Sequence, residues 1–524
     1  MECHLLHVLS DLSSNRLSAR VWEYGKMNEP RSWGFNAALL ATAFVAMTAG
    51  AHEPGKSDVS ADATGAIETF NVNGHTDTKG AFFQSLGTNG RSCSTCHLAD
   101  QAMSISPPQI RERFAQTRGR DPLFNAVDGA NCGNAITASE SAHSLLLSHG
   151  LIRIALAVPS NAQFTVTAVH DPYGCALAPD PVSGQMILST YRRPLPSTNL
   201  RMLSTMMWDG RESPAASALN SKATFAANLN ADLMQQAKDA VAIHAQGNKV
   251  PTVAQLNDII AFEMGLSTAQ AYDRQAGALD ARGALGGARN LAGEEYYPGI
   301  NDVLGADPDG IAFDESSMTL FAAWENGGNP RYEDNDSLER REARRDIAAG
   351  EVLFNTASLT ISAVRGLNDS AALGNPVSFK GTCTTCHDSP NVGNHSLPLP
   401  LDIGIGHTPR PGFENDPNVA KGIAELDEPD LPVFLVRGCP TPFSAGQPVS
   451  FYTTDLGKGM ITGLCSDLNR LKGPILRGLA ARAPYFHNGA AATLLQAVNF
   501  YNQRFAMNLT DEQKNQLVAF LNSL

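Results

Sequence analysis

The chain has 524 residues, enough for two or three cores, and its 43% hydrophobic and 17% charged residues are those of a globular protein. A formal net charge of −13 argues against nucleic acid or an anionic membrane surface as partner and leaves room for a basic one.

Residues 1–51 stand apart. Arg31 precedes an apolar run, Trp33 to Met47, and then Ala49-Gly50-Ala51. A charged region, a short hydrophobic segment and an A-x-A site in that order predict a secretory signal, with Met27 a better start than Met1. The alternative is an uncleaved anchor, for which the run is short. No later segment is apolar for long enough to span a bilayer, so the expected location is the periplasm.

Next come Lys79-Gly80-Ala81-Phe82-Phe83 and then SCSTCHLAD, with Cys93, Cys96 and His97. The same order recurs downstream as Ala349-Gly350-Glu351-Val352-Leu353-Phe354 and GTCTTCHDS, with Cys383, Cys386 and His387. C-x-x-C-H is the attachment pattern of c-type haem: both thiols add to the vinyl groups, and the adjacent histidine becomes the proximal ligand. Zinc would need four ligands in one cluster, and a thioredoxin-like pair would need a βαβ context. The expectation is two covalent haems. Of the nine cysteines, Cys3 precedes the signal, and Cys132, Cys175, Cys439 and Cys465 remain. They read as two disulfides, Cys132 with Cys175 and Cys439 with Cys465, a pairing the sequence does not fix.

A helix with a capping box closes each half: Thr252-x-x-Gln255 opens QLNDIIAFE, and Thr510-x-x-Gln513 opens QKNQLVAFL. Their apolar residues fall at helical spacing. Helix, haem site, loops and closing helix is the layout of a cytochrome c domain. The predicted fold is therefore mainly α, with two tandem cytochrome c-like domains over 52–266 and 337–524 and an insertion and linker over 267–336. ADPDG at 306–310 lacks EF-hand ligand spacing and reads as a turn. ENGGNPRYEDND, residues 325–336, reads as linker, with Ser337 capping the next helix.

Several motifs in order resemble the bacterial di-haem cytochrome c peroxidase and MauG family over most of the mature chain. They are the first C-x-x-C-H, Trp208-Asp209-Gly210-Arg211, Leu233-x-x-Gln236-Ala237, the second C-x-x-C-H, Pro474-Ile475-Leu476-Arg477 and Ala483-Pro484-Tyr485-Phe486-His487. The resemblance implies a peroxide-reacting first haem and an electron-transfer second haem, fed by a small cytochrome or cupredoxin. Fourteen residues after His487 the family places the distal ligand of the second iron, Met in the peroxidases and Tyr in MauG; here it is Tyr501. Packing on its own helix is the plainer role for Tyr501, and loop-fixing is the role expected of His487. Trp208 matches a tryptophan between the haems, able to relay charge, and is equally a large core residue.

Sixteen residues after His97, where many of the peroxidases carry a blocking histidine, stands Arg113. The first haem is thus expected to keep an open position, unless His143, His149 or His170 reaches it. The family's distal glutamate corresponds to Gln246, which takes up no proton. His244 is the expected acid/base instead, with Gln246 as its hydrogen-bond partner. Arg193 and Arg482 stand where the family binds calcium, which weakens a calcium expectation. Two further readings are an electron carrier without catalysis and a di-haem oxygenase or oxidase acting on an organic or protein substrate.

Overall fold

The computed structural model describes residues 57–74, 76–135, 138–213, 222–325, 336–407, 426–440 and 448–524. The signal at 1–51 and nearly all of the linker at 325–336 lie outside them. In chain order the strands are β1 (Ser57–Ala61), β2 (Gly65–Asn71), β3 (Ile152–Ala157), β4 (Thr165–His170), β5 (Leu177–Pro179) and β6 (Met186–Arg192). Then follow β7 (Leu266–Asp273), β8 (Gly277–Ala278), β9 (Leu359–Ser362), β10 (Ser378–Gly381), β11 (Val433–Pro440) and β12 (Pro448–Thr453). The α-helices are α1 (Pro107–Thr117), α2 (Ser144–His149), α3 (Lys222–Ile243), α4 (Val253–Gly265) and α5 (Ala288–Gly293). They continue as α6 (Leu338–Thr356), α7 (Gly459–Thr462), α8 (Leu494–Arg504) and α9 (Asp511–Asn522).

Among the described residues, 33% lie in helix (3₁₀ turns included) and 17% in strand, with four sheets, so the fold is mixed and the expectation of a mainly α protein is corrected. The strands come from stretches read as loops or insertion. β4, TVTAVH, is rich in β-branched residues, and its exposure alternates along the strand. The stretch read as an insertion begins inside β7, which continues directly from α4 and joins the sheet β1-β2-β7-β8. A second sheet, β12-β11-β4, pairs a strand of the first half with two of the second. β3, β6 and β5 form a third, and β9 and β10 a two-stranded ribbon. Among the described residues no helix is long and apolar enough to cross a membrane.

The two C-x-x-C-H frames repeat in detail. Each is a single 3₁₀ turn, Cys93–Thr95 or Cys383–Thr385, closed by a capping box, Ser92 with Thr95 or Thr382 with Thr385. Behind each stands an aromatic pair contributed partly by the closing helix. Phe82 lies 4.7 Å from Phe262 of α4, and Phe354 lies 5.5 Å from Phe520 of α9. Thr252 and Thr510 cap α4 and α9 with the boxes read from sequence, and Ser337 caps α6. The lead-in segments differ: Gly80 precedes a 3₁₀ turn, Ala81–Phe83, whereas Gly350 lies inside α6.

α6 and α9 pack face to face, with Phe354, Leu517 and Phe520 in a core shared with Phe321 and Trp324. Burial contributes about 1.5–3 kcal/mol for each large side chain. Gly350 permits this approach, since a Cβ there would stand 2.0 Å from the Gln516 carbonyl oxygen and 2.7 Å from Phe520 Cβ. Alanine would gain up to ~1 kcal/mol of helix propensity, but the collision with backbone outweighs it. Gly350→Ala is expected to lower unfolding free energy by about 1–3 kcal/mol, read from the denaturant midpoint.

Candidate active site and attachment turns

Each attachment histidine is oriented in the same way. His97 Nδ1 lies 2.9 Å from the Met103 carbonyl oxygen, and His387 Nδ1 lies 2.7 Å from that of Gly393. Both acceptors stand six residues on, so each turn folds back on its own loop and leaves Nε2 as the ring's free ligand atom. The rings sit at 6.3 Å from Phe82 and 6.0 Å from Phe354.

The cysteines of both turns are unpaired, whereas Cys132–Cys175 and Cys439–Cys465 are disulfides, matching the pairing expected. Burial pushes the Cys93 thiol up to about 12 and the Cys96 thiol up to about 11. A redox dithiol works by a lowered thiol pKa, so neither half of this pair behaves as one. Among the described residues, neither turn gathers the further His, Cys or carboxylate ligands that zinc requires.

Cys93, Cys96 and His97 open onto a large cavity walled by α3 and α4. Leu233, Gln236, Ala237, Ala240 and Val241 of α3 line it, and His244 follows the helix onto the same wall. Those positions recur every three or four residues, which is one helix face. His244 continues the face. Gln246 does not: the helix has ended at Ile243, Gln246 adopts a φ of +52°, and its side chain is exposed. Its side-chain partner is Asn89, at 3.4 Å.

The partner of His244 is therefore Asp128 and not Gln246. Nδ1 of His244 lies 2.5 Å from Asp128 Oδ2, while Arg91 pairs with Oδ1 of the same carboxylate. Burial alone would raise the Asp128 pKa, but His244 and Arg91 outweigh it and hold the carboxyl below its ordinary range. Asp128 thus stays ionised and fixes the imidazole, leaving Nε2 for the cavity. Sequence reading missed Asp128 because it lies 116 residues from His244 with no motif around it.

His143, His149 and His170 do not line this cavity. His143 is buried between Phe114 and Phe124 with Nδ1 2.8 Å from the Gly129 carbonyl oxygen. His149 Nδ1 meets Ser148, and His170 pairs with Asp430. Arg113 pairs with Asp121 and donates to the Thr95 carbonyl oxygen within the first attachment turn.

The cavity wall carries Arg193, Lys472, Arg477 and Arg482, none in a salt bridge among the described residues. Arg193 donates only to backbone carbonyls, and Arg477 Nη1 is buried without any acceptor. Burial, with Arg482 adding to it, drops the Lys472 pKa to about 7, and burial drops that of Arg193 to about 9. Buried cations without an ion pair are costly, and an anionic group beside them would offset that cost. The lining fits a bulky apolar macrocycle carrying two carboxylates, which Cys93 and Cys96 would tether as they would a c-type haem. Arg193 and Arg482 place two guanidiniums at the positions compared with a calcium site, and Arg193 Nη2 donates to the Arg482 carbonyl oxygen.

Trp208 lines the same cavity, with Nε1 donating to the Arg193 carbonyl oxygen at 2.8 Å. Its neighbour Asp209 is buried against Arg192, which also grips Asp455. His487 meets Trp208 edge to face at 6.2 Å and faces Asp455 at 3.8 Å, and its carbonyl accepts from Arg193 N. Burial lowers the His487 pKa to about 4. Between that value and 6.5 the unfolded chain binds the proton and the folded one does not, so stability falls as pH drops through this window. The loss is on the order of 3 kcal/mol, and His487→Asn is expected to flatten that part of the curve of urea midpoint against pH.

At the second turn, Tyr501 of α8 shares an apolar cluster with Cys383, Cys386 and Phe505. Burial pushes its hydroxyl pKa above the ordinary range, with Cys386 and Cys383 adding to the effect. Its ring stacks on Phe505 at 5.9 Å, and the hydroxyl makes no hydrogen bond among the described residues.

The fold and sites define a protein with two matched C-x-x-C-H turns, one of them opening on a cavity that holds a carboxylate-oriented histidine. The chain is 35% identical over 153 residues to the cytochrome-c peroxidase IdrP2 of Denitromonas iodatirespirans. The match spans 28% of this chain and 36% of the relative's length. No family model matches.

Proposed function

We propose that the protein is an exported di-haem c-type oxidoreductase that reduces hydrogen peroxide at the Cys93/Cys96/His97 site with electrons entering at the Cys383/Cys386/His387 site. The observation that carries this reading is His244, held by Asp128 on the wall of the cavity that the first attachment turn opens onto. The likeness to a cytochrome-c peroxidase supports the peroxidase class.

When bound, haem iron supplies the redox chemistry and a coordination position for peroxide. His244 would carry a proton between the two oxygens of a peroxide bound in the cavity; with two electrons and two protons supplied from outside, both oxygens would leave as water. Asp128 holds the imidazole tautomer through the cycle, and Arg91 keeps Asp128 ionised. Arg193, Arg477 and Arg482, with Lys472 when protonated, would hold the haem carboxylates, and Trp208 on the cavity wall would relay charge. Tyr501, in the apolar cluster with Cys383 and Cys386, would offer its oxygen to the second iron, and such a donor would favour the ferric state. A small basic cytochrome or cupredoxin suits the acidic chain as donor, and two disulfides suit a periplasmic location.

The test is a ferric spectrum titrated with peroxide, followed by turnover with a reduced cytochrome. A high-spin signal that responds to peroxide beside a low-spin one that does not is expected. Two low-spin signals indifferent to peroxide would leave only electron transfer. Tyr501→Met is expected to shift the low-spin bands and raise that haem's potential, and an unchanged low-spin spectrum removes Tyr501 from the ligand set.

A further inference from the structure

Away from the first cavity, three titratable side chains meet in the interior: Asp302, Asp388 and His395, with relative exposures of 0%, 0% and 3%. One ligand atom from each falls within 4.8 Å of the other two. Each carboxylate is already committed on one side. Asp302 Oδ2 accepts from Ala306 N at 2.8 Å, and Asp388 Oδ1 accepts from Ser396 N at 2.6 Å. Those bonds fix the carboxylates and leave Asp302 Oδ1 buried without a partner and Asp388 Oδ2 facing only His395. His395 Nδ1 approaches Asp388 Oδ2 to 3.0 Å, yet neither ring nitrogen completes a hydrogen bond. Ser389 Oγ, Asn394 Oδ1 and Ser396 Oγ, on the same loop, are also buried and unpartnered. Such a concentration of unpaired donor atoms in a protein interior is rare and costly.

We propose that Asp302, Asp388 and His395 bind a divalent first-row transition ion. Two carboxylates and a neutral imidazole balance a charge of +2, and a mixed nitrogen and oxygen set suits Zn²⁺ or Mn²⁺ better than Ca²⁺ or Mg²⁺, which take oxygen. None of the three lines the first cavity, where Arg193 and Arg482 stand. The site joins two segments: Asp302 belongs to the stretch read as insertion, whose Asn301 Nδ2 donates to the Asp388 carbonyl oxygen, and Asp388 and His395 flank Gly393, the acceptor for His387 Nδ1. The ion clamps the loop that orients the second attachment histidine.

The test uses full-length holoprotein, stripped with dipicolinate, desalted and exposed to ZnCl₂ or MnCl₂ separately. Elemental analysis is expected to return about one retained equivalent of one of these metals per chain, apart from haem iron. Anomalous scattering at that metal's edge is expected to place it among the three side chains. Asp302→Asn and His395→Gln are expected to lose the metal while keeping haem content. Retention well below one equivalent with both ions, or an anomalous peak elsewhere, overturns the proposal irrespective of the variants. The readout is independent of peroxide turnover, so the site stands or falls separately from the proposed activity.

Discussion

His244→Ala is expected to slow peroxide turnover by ~10²–10⁴-fold, the range contributed by a positioned acid/base, while leaving both haem spectra in place. Peroxide cleavage demands that one proton move between two oxygen atoms of the same molecule, and water in an apolar cavity does this poorly. His244 is the histidine other than His97 on the cavity wall among the described residues, and Asp128 fixes its ring. Asp128→Asn keeps the shape and removes the charge, so a smaller loss is expected. Gln246→Ala is the control, expected to turn over as the parent does because its side chain faces solvent. A His244→Ala protein with parental turnover would remove the acid/base assignment, and an equal loss in Gln246→Ala would return the role to the family's position.

The second large effect concerns the attachment turns. Cys93→Ala/Cys96→Ala is expected to halve covalent haem content and abolish peroxide reactivity. Cys383→Ala/Cys386→Ala is expected to halve haem content equally but to spare a single reaction of the first site with peroxide, stopping only sustained turnover with an external donor. The asymmetry follows from the surroundings. The first turn opens on the cavity with His244, and the second lies in an apolar cluster with Tyr501, Leu359 and Phe505. A pyridine haemochrome assay and a haem-stained gel read the content, and stopped-flow mixing with peroxide reads the reactivity. Unchanged haem content in either double variant would refute covalent attachment at that turn.

Much of the local architecture was legible because its signals are local. The capping boxes at Thr252 and Thr510 and the helical face from Leu233 to Val241 are each encoded within a few turns of chain. His244 was reachable by the same periodicity, and that periodicity also explains why Gln246, two residues later, misses the cavity. The sheets were not seen. β4 carries a clear alternation, TVTAVH, but its partner β11 begins with Val433, and no nearby turn joins the two. Intervening strands such as β4 pair with partners distant in sequence, so each such stretch taken alone reads as a loop. Asp128 and the wall cations Arg193 and Lys472 share the difficulty: each has its meaning only beside residues distant in sequence, and a buried charge looks like any other until its surroundings are known.

The pairing of β4 with β11 bears on how the two halves behave in time. Five backbone partnerships, from Val433 opposite His170 to Arg437 opposite Thr165, rivet a segment of one half to a segment of the other. A swing of either half would have to shear that ladder, so the pairing resists relative motion of the two halves. On the proposed electron route, such resistance would keep the distance charge has to cross nearly constant from one passage to the next.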